Sequence, residues 1–296
     1  MATTQQDARR NQTIRLKDGR TLGYAEYGDP NGTPVVFFHG TPGSRLAAAP
    51  AWNDTSLGIR LIAPDRPGLG LSTYLPGRTL LSWPSDVTEL ADALSLDRFT
   101  VCGVSGGGPH SLACAHSLPE RVVKAGVISG AAPMDTPDAI AAMHKGNRTI
   151  FTLAQKSYGP LLLRAVFGVM GFVAKRWPEK VAGQNSKMMP PADREILADA
   201  ELTAMLRKEI PESYRQGSRG VVDEALVFAR PWGFRLEDIR VPVLLWHGTE
   251  DLNAPLSMAK EMEARIPNCT ATYYEGEGHL YFLRRWPEIA AALKDG

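Results

Sequence analysis

Short apolar runs recur along the first half of the chain, separated by amphipathic segments. Residues 34–38, 59–63, 99–104 and 122–128 are almost continuously apolar and rich in Val, Ile, Leu and Phe. This pattern is typical of strands that are buried on both faces of a parallel sheet. Apolar residues around 87–94 instead fall at helical spacing. Strands that alternate with helices predict an α/β fold with a mostly parallel, doubly wound sheet.

The two ends of the chain extend this pattern. Two alternating runs, Thr13–Leu16 and Thr21–Tyr27, flank an Asp-Gly pair, which predicts a β-hairpin. Near the other end, Val241–Trp246 and Thr270–Tyr274 predict two more strands. A helix is predicted between these two strands, and a closing helix follows the second one. We therefore expect the sheet to resume after an interruption.

The interruption lies in the middle of the chain, where no strand is predicted. Its apolar residues indicate four helical stretches, separated by prolines: 139–158, 161–176, 192–210 and 212–229. The insertion follows a strand end, and ligands bind beside such ends in open α/β sheets. We expect a core formed by residues 1–133 and 234–296, with residues 134–233 inserted as a helical cap.

Composition and charge narrow the classes of function. The 33 basic and 32 acidic residues give a net charge of +1, so no global field favours nucleic acid as a partner. The three cysteines lie far apart without metal-ligand spacing, so we expect no bound metal. Cys102 falls in a predicted strand and Cys114 on the following helix, and we expect both thiols to be buried. No secretory signal is visible, and the most apolar run, 161–174, is too short for a membrane span. We expect a cytoplasmic protein whose oligomeric state the sequence leaves open.

The most informative stretch is Gly103-Val104-Ser105-Gly106-Gly107, which follows a predicted strand and precedes a predicted helix. This is the context in which Gly-x-Ser-x-Gly forms a nucleophile elbow. Side chains two residues before and after such a strained serine would collide, which explains the flanking glycines. Gly106 leaves the N–H group that follows the serine free to face a developing oxyanion.

Two further residues complete a chemical pattern with Ser105. Asp251 and His279 each follow a predicted strand. The carboxyl ends of parallel strands share one edge of the sheet, so the three side chains can converge there. A serine hydroxyl needs an adjacent base, histidine has a suitable pKa, and a buried carboxylate fixes the imidazole tautomer. The order Ser, Asp, His along the chain is that of α/β-hydrolases.

The sequence resembles the α/β-hydrolase superfamily, in the capped branch that contains esterases, epoxide hydrolases, dehalogenases and proline iminopeptidases. The resemblance covers the core, and the inserted helices match only in position and helical character. It rests on five segments in order: His39-Gly40-Thr41-Pro42-Gly43, Asp65-Arg66-Pro67-Gly68-Leu69-Gly70-Leu71-Ser72, Gly103-Val104-Ser105-Gly106-Gly107, His247-Gly248-Thr249-Glu250-Asp251 and Gly276-Glu277-Gly278-His279.

The resemblance implies a role for each matching residue. Ser105 is the nucleophile, His279 the general base and Asp251 the acid that orients it, and the backbone N–H groups of Thr41 and Gly106 form the oxyanion hole. Serine at position 105 departs from the epoxide hydrolases and dehalogenases, which attack carbon with a carboxylate. The resemblance therefore implies an acyl-enzyme mechanism without a cofactor.

Other residues compete for some of these roles. Glu250 is adjacent to Asp251, and Asp135 occupies an acid position that some members of the superfamily use. Three further histidines, His39, His110 and His247, are expected to have structural roles.

The expected substrate is a small carboxylic ester or a related acyl compound, and the enzyme is expected to be carboxylesterase-like. A proline iminopeptidase-like aminopeptidase is an alternative, although no single acid of the cap stands out as a partner for a substrate amine. A hormone-receptor-like binding protein that reuses the fold is another. Apolar cap residues are expected to line the pocket: Leu153, Leu161, Leu162, Val166, Phe167, Met170, Met188, Met189 and Phe228.

Overall fold

The computed structural model describes residues 9–47, 50–134, 137–183 and 189–294, and within them the chain folds around one eight-stranded sheet. The strand order across the sheet is β1-β2-β4-β3-β5-β6-β7-β8. The strands are β1 (Gln12–Arg15), β2 (Thr21–Gly28), β3 (Thr33–Phe38), β4 (Ile59–Pro64), β5 (Phe99–Val104), β6 (Val122–Ile128), β7 (Val243–Gly248) and β8 (Cys269–Tyr274).

The sheet is parallel from β4 to β8, as the buried apolar runs predict. Strands β1 and β2 form the predicted hairpin, with Arg15 opposite Thr21, and β2 pairs with β4 in antiparallel fashion. The Asp-Gly turn works here because Gly19 has a positive φ of 87°, which costs glycine little.

Both faces of the sheet are covered, which explains the continuous apolar runs. In β3, Val36 and Phe38 face one apolar core, whereas Val35 and Phe37 face the other. This alternation follows from the two-residue period of a strand. The helices outside the insertion are α1 (Trp83–Ala93), α2 (Gly107–Ser117), α10 (Leu256–Arg265) and α11 (Phe282–Lys294). Helices α1, α2 and α10 pack on the first face and α11 packs on the second.

Between β6 and β7 the described residues form helices and no strand, and we call this part the insertion. Its helices are α3 (Pro137–Ala141), α4 (Lys145–Ala154), α5 (Gly159–Arg176), α6 (Pro178–Gly183), α7 (Pro191–Leu197), α8 (Ala200–Ser213) and α9 (Arg219–Ala229). Within the described ranges, no helix has both the length and the apolar character needed to cross a membrane.

The helix boundaries within the insertion differ from the predicted ones. The single helix predicted over 139–158 is two helices, because the His144 side chain accepts a hydrogen bond from the Gly146 N–H and starts α4 anew. The helix predicted over 192–210 is also divided, because Asp199 caps the start of α8. Pro211 does not end a helix but lies within the last turn of α8. The chain reverses afterwards at Gly217, whose φ is 95°.

Candidate active site

Ser105 stands on a sharp turn between β5 and α2. Its φ of 54° is unusual for a residue with a side chain, and such strain gathers at functional sites. The Ser105 N–H donates to the Ile128 carbonyl oxygen at 2.8 Å, and the Ser105 carbonyl accepts from the Gly108 N–H at 3.0 Å. A Cβ atom at Gly103 would collide with the Gly107 backbone. The predicted reason for this glycine is therefore correct.

Gly106 and Thr41 meet beside this turn. A Cβ atom at Gly106 would collide with Thr41 Oγ1, and one at Gly40 would lie 3.5 Å from the Ser105 Cβ. Within the described residues, neither the Gly106 nor the Thr41 backbone N–H donates to another backbone group. Two backbone donors thus remain available next to the Ser105 side chain, which is the arrangement that stabilises an oxyanion.

His279 and Asp251 come together as the sequence predicts. The Nδ1 atom of His279 lies 2.7 Å from Asp251 Oδ2, and Asp251 Oδ1 accepts from the backbone N–H groups of Asn253 and Ala254 at 2.8 and 3.0 Å. A carboxylate partner requires that Nδ1 carry the hydrogen, so Nε2 is left as the basic nitrogen. Ser129, at the end of β6, donates through Oγ to the His279 carbonyl oxygen at 3.2 Å.

Opposing effects set the pKa of His279. Burial favours the neutral imidazole, but the charge of Asp251 and its hydrogen bond outweigh burial and raise the pKa of His279 above 6.5. The charge of Asp193 raises it further. The pKa of Asp251 is lowered despite its burial, because the His279 charge and hydrogen bond favour the carboxylate. The contact therefore makes the imidazole more basic and keeps Asp251 ionised at neutral pH.

Ser105 and His279 line one cavity of about 1110 Å³. The insertion and residues 40–42 bound this cavity, and we call residues 40–42 the oxyanion loop because Thr41 is a predicted oxyanion donor. Its wall is mostly apolar, which suits a small organic ligand. Of the predicted lining residues, five contribute: Val166, Phe167, Met170, Met189 and Phe228.

The prediction is wrong for the other lining residues within the described ranges. Leu153, Leu161 and Leu162 do not line the cavity, and Leu161 and Leu162 are exposed to solvent because α5 turns the opposite face toward the protein. Met188, the last predicted member, lies outside the described residues.

The competing acids and histidines lie elsewhere. Glu250 is exposed, and Asp135 lies outside the described residues. His39, His110 and His247 each form a hydrogen bond between a ring nitrogen and a backbone carbonyl oxygen. The partners are Gly40 at 2.8 Å, Gly106 at 2.9 Å and Ala254 at 2.8 Å, respectively. Burial lowers the pKa of each ring, to about 3 for His110. These contacts match the predicted structural roles.

A buried charge cluster that the sequence does not reveal holds the oxyanion loop. Glu224 of α9 accepts from Arg66 Nε at 2.8 Å and from Arg78 Nη2 at 2.5 Å. Arg66 also donates to the carbonyls of His39 and Gly40 at 2.6 and 2.9 Å. Thr41 Oγ1 donates to Glu224 Oε2 at 2.8 Å. The insertion thus fixes the loop that carries the Thr41 N–H.

A second buried acid of the insertion, Glu209, lines the cavity itself. The side chain forms no ion pair with another described residue, in contrast to the buried Asp65, which has Arg45 at 2.9 Å. Burial raises the pKa of Glu209 to about 8, despite the opposing effects of the Ser44 backbone and Arg66. Glu209 is therefore a candidate partner for a substrate amine, although the sequence alone does not distinguish it from the other acids of the insertion.

Within the described ranges, no group of three or more His, Cys, Asp or Glu side chains could hold a metal ion. Cys102 and Cys114 are buried, as predicted.

Comparison with known proteins gives consistent matches. The family model described as "Alpha/beta hydrolase family" matches residues 35–292. A non-heme chloroperoxidase from Streptomyces lividans is 29% identical, over 94% of this chain and 95% of its own. A pimeloyl-[acyl-carrier protein] methyl ester esterase from Aromatoleum aromaticum is 27% identical, over 80% and 87%. A probable proline iminopeptidase from Leptolyngbya boryana is 38% identical, but over only 34% and 32%.

Proposed function

The chain belongs to the alpha/beta hydrolase family, and from that premise we propose that it is a serine hydrolase that cleaves small carboxylic esters. The observation that carries the proposal is the 2.7 Å contact between His279 Nδ1 and Asp251, in a cavity that Ser105 also lines. The strained elbow and the two unoccupied backbone donors beside it support the same chemistry.

The proposed reaction has two halves. His279 Nε2 takes the proton of the Ser105 hydroxyl while Oγ attacks the ester carbonyl, and the N–H groups of Thr41 and Gly106 stabilise the oxyanion. The intermediate collapses, the C–O bond to the alcohol breaks, and the imidazolium returns its proton to the leaving alcohol. Water then attacks the acyl-enzyme with His279 as base and releases the carboxylic acid. Asp251 keeps the imidazole in the required tautomer and stabilises its charged form.

We further propose that residues 134–233 act as a cap over this site, with residues 1–133 and 234–296 as the core. The cap residues Val166, Phe167, Met170 and Phe228 form part of the cavity wall. Apolar and methionine side chains accept acyl groups of different shapes, which favours short to medium chains over one defined polar ligand.

An iminopeptidase-like activity is the second candidate, and Glu209 is the observation that favours it. A buried carboxyl that faces a cavity without an ion-pair partner can bind a substrate ammonium group. The partial similarity to an iminopeptidase points the same way. The mostly apolar wall of the cavity and the similarity to a methyl ester esterase over 80% of this chain favour the ester.

The test combines labelling with turnover. A fluorophosphonate probe should label the parent protein and not Ser105→Ala, which should fold normally and hydrolyse p-nitrophenyl butyrate slower by several orders of magnitude. The matched control is Ser117→Ala, which changes an exposed serine at the end of α2, the helix that follows Ser105. This variant should react like the parent. Equal labelling of Ser105→Ala would disprove the assignment. A higher kcat/KM for a prolyl anilide than for the butyrate ester would establish the second candidate, and labelling without turnover of either would indicate a binding protein.

A further inference from the structure

Exposed apolar side chains are concentrated on one part of the insertion. Among the described residues, nine large hydrophobic side chains are exposed, and seven of them lie between Tyr158 and Phe172. The most exposed are Leu161, Val169 and Phe172, at 73, 65 and 64%. Single exposed apolar residues are ordinary, but a contiguous group of this kind marks contact with another surface.

The group covers the outer face of helix α5. Leu163, Phe167, Gly171 and Ala174 form the inner face of this helix and are buried. Leu161, Val169 and Phe172 lie on the opposite face, where a water-facing helix would carry polar residues. Helix α5 is thus apolar on two sides, of which the protein covers only one.

Basic residues are concentrated in the same part of the chain as this apolar face. Residues 139–183 contain a single acid, Glu179, and seven basic residues: Lys145, Arg148, Lys156, Arg164, Lys175, Arg176 and Lys180. Each of the seven is exposed, and none forms an ion pair with another described residue. The chain as a whole has a net charge of only +1. The surplus is therefore local and free to bind anions.

Trp177 follows the end of α5 and contacts both an exposed aromatic side chain and two basic side chains. Its ring lies 6.0 Å from that of Phe172, and the Arg176 Cζ and Lys180 Nζ atoms lie 5.3 and 4.9 Å from its centroid. Tryptophan and long basic side chains have apolar bodies with polar ends, which suits the boundary between water and hydrocarbon.

We propose that the outer face of α5, defined by Leu161, Leu162, Val169 and Phe172 with Arg164, Lys175 and Arg176, docks this protein onto an anionic membrane surface. The helix lies in the plane of the interface, its apolar side chains enter the acyl boundary, and its basic side chains meet lipid phosphates. A second copy of the chain fits this face poorly, because a two-fold contact would bring the same arginines and lysine together.

The proposed docking face lies beside the cavity. Val166, Val169 and Met170 are exposed and also line the cavity, so α5 forms part of its rim. A membrane that contacts α5 therefore lies next to the cavity. Docking itself does not depend on the proposed ester hydrolysis, and its test uses binding alone.

The test is flotation of the full chain with vesicles made of phosphatidylcholine alone or with equal parts of phosphatidylglycerol. We expect binding to the mixed vesicles that weakens with added salt. Leu161→Glu with Phe172→Glu should reduce it by at least about tenfold, and Lys175→Gln with Arg176→Gln by about fivefold for each charge removed. None of these four residues lines the cavity.

Matched controls place equivalent changes elsewhere. Leu81→Glu alters an exposed apolar residue outside the insertion, and Lys260→Gln removes an exposed charge of α10. Both should bind like the parent, and circular dichroism should be the same for every variant. Equal binding to both kinds of vesicle, or full binding by the Leu161 and Phe172 double variant, would overturn the proposal. A dimer in sedimentation that this double variant dissociates would overturn it too, by assigning the face to self-association.

Discussion

The Asp193 carboxylate positions the backbone of His279. Its two oxygens accept from the N–H groups of His279 and Leu280 at 2.9 and 2.8 Å, and the side chain is fully buried. Asp193 belongs to α7 of the insertion, 86 residues before His279. The insertion therefore fixes both sides of the site, through Asp193 at the histidine loop and through Glu224 at the oxyanion loop.

Asp193→Asn should shift the pH dependence of the proposed reaction. The groups that face His279 are Asp251, Asp193 and His247, and the Asp193 charge is one of those that raise the His279 pKa. Its removal lowers that pKa, so the acid limb of the kcat/KM profile should move to lower pH. The measurement is kcat/KM for p-nitrophenyl butyrate between pH 5 and pH 8.

Glu195→Gln provides the control for this shift. Glu195 lies two residues further along α7 and is exposed, so its variant should keep the parent profile. A purely structural role for Asp193 would lower kcat/KM equally at every pH without moving the limb, and that result would contradict the electrostatic argument.

Asp251→Asn should lower kcat by about two to four orders of magnitude with little change in KM, because the imidazolium loses its counter-charge and the tautomer is no longer fixed. Steady-state kinetics with p-nitrophenyl butyrate measure both constants. Glu250→Gln, an exposed neighbour, is the control and should be nearly neutral. If Asp135→Asn causes the loss instead, the orienting acid has been assigned to the wrong residue.

Local sequence patterns were sufficient to predict the strands of the sheet and the site residues at its edge. The run predicted as a strand over 99–104 is β5 without change, because six buried residues in succession leave little ambiguity. The turn after it is set by steric exclusion at Gly103, which acts within five residues. Asp251 and His279 could be placed because each follows a strand, and strand ends of a parallel sheet meet at one edge.

The insertion was harder to predict because the burial and the contacts of its side chains depend on residues that are distant in sequence. Leu161, Leu162 and Leu163 are all apolar, so periodicity does not show which of them is buried. Arg66 and Glu224 are 158 residues apart, and no local sequence pattern around either residue predicts their ion pair. Asp193 and Glu195 look alike in sequence, yet one is buried at the His279 loop and the other is in water.

Glu224→Gln should destabilise the fold, because it leaves Arg66 and Arg78 buried with a neutral partner. Breaking a buried ion pair in this way costs about 3–5 kcal/mol of unfolding free energy, measurable by urea denaturation. Glu261→Gln removes a partly exposed pair with Arg265 and should cost less than about 1 kcal/mol.

Glu224→Gln should also change how the free energy of unfolding depends on pH. Despite the cost of burial, the two arginines hold the pKa of Glu224 well below 4.5. Its stabilisation is therefore present above pH 4.5 and is lost as the pH falls through the lowered pKa. Glu224→Gln should lose less stability than the parent between pH 4.5 and pH 3. Equal losses would mean that this carboxylate is not ionised in the folded protein.

Glu209→Gln should stabilise the protein at alkaline pH. Burial raises the pKa of Glu209 to about 8, so between pH 4.5 and pH 8 the folded parent keeps a proton that the unfolded chain releases. Parent stability therefore falls as the pH rises across this window, by up to about 1.4 kcal/mol per pH unit, whereas the glutamine variant lacks this contribution. Urea denaturation at pH 5, 6, 7 and 8 should show a gap in favour of Glu209→Gln that widens with pH. Glu201→Gln, an exposed acid of the same helix, should give a curve parallel to that of the parent. If the Glu209→Gln curve is parallel as well, Glu209 is ionised at neutral pH, and the cavity holds a negative charge suited to a substrate ammonium group.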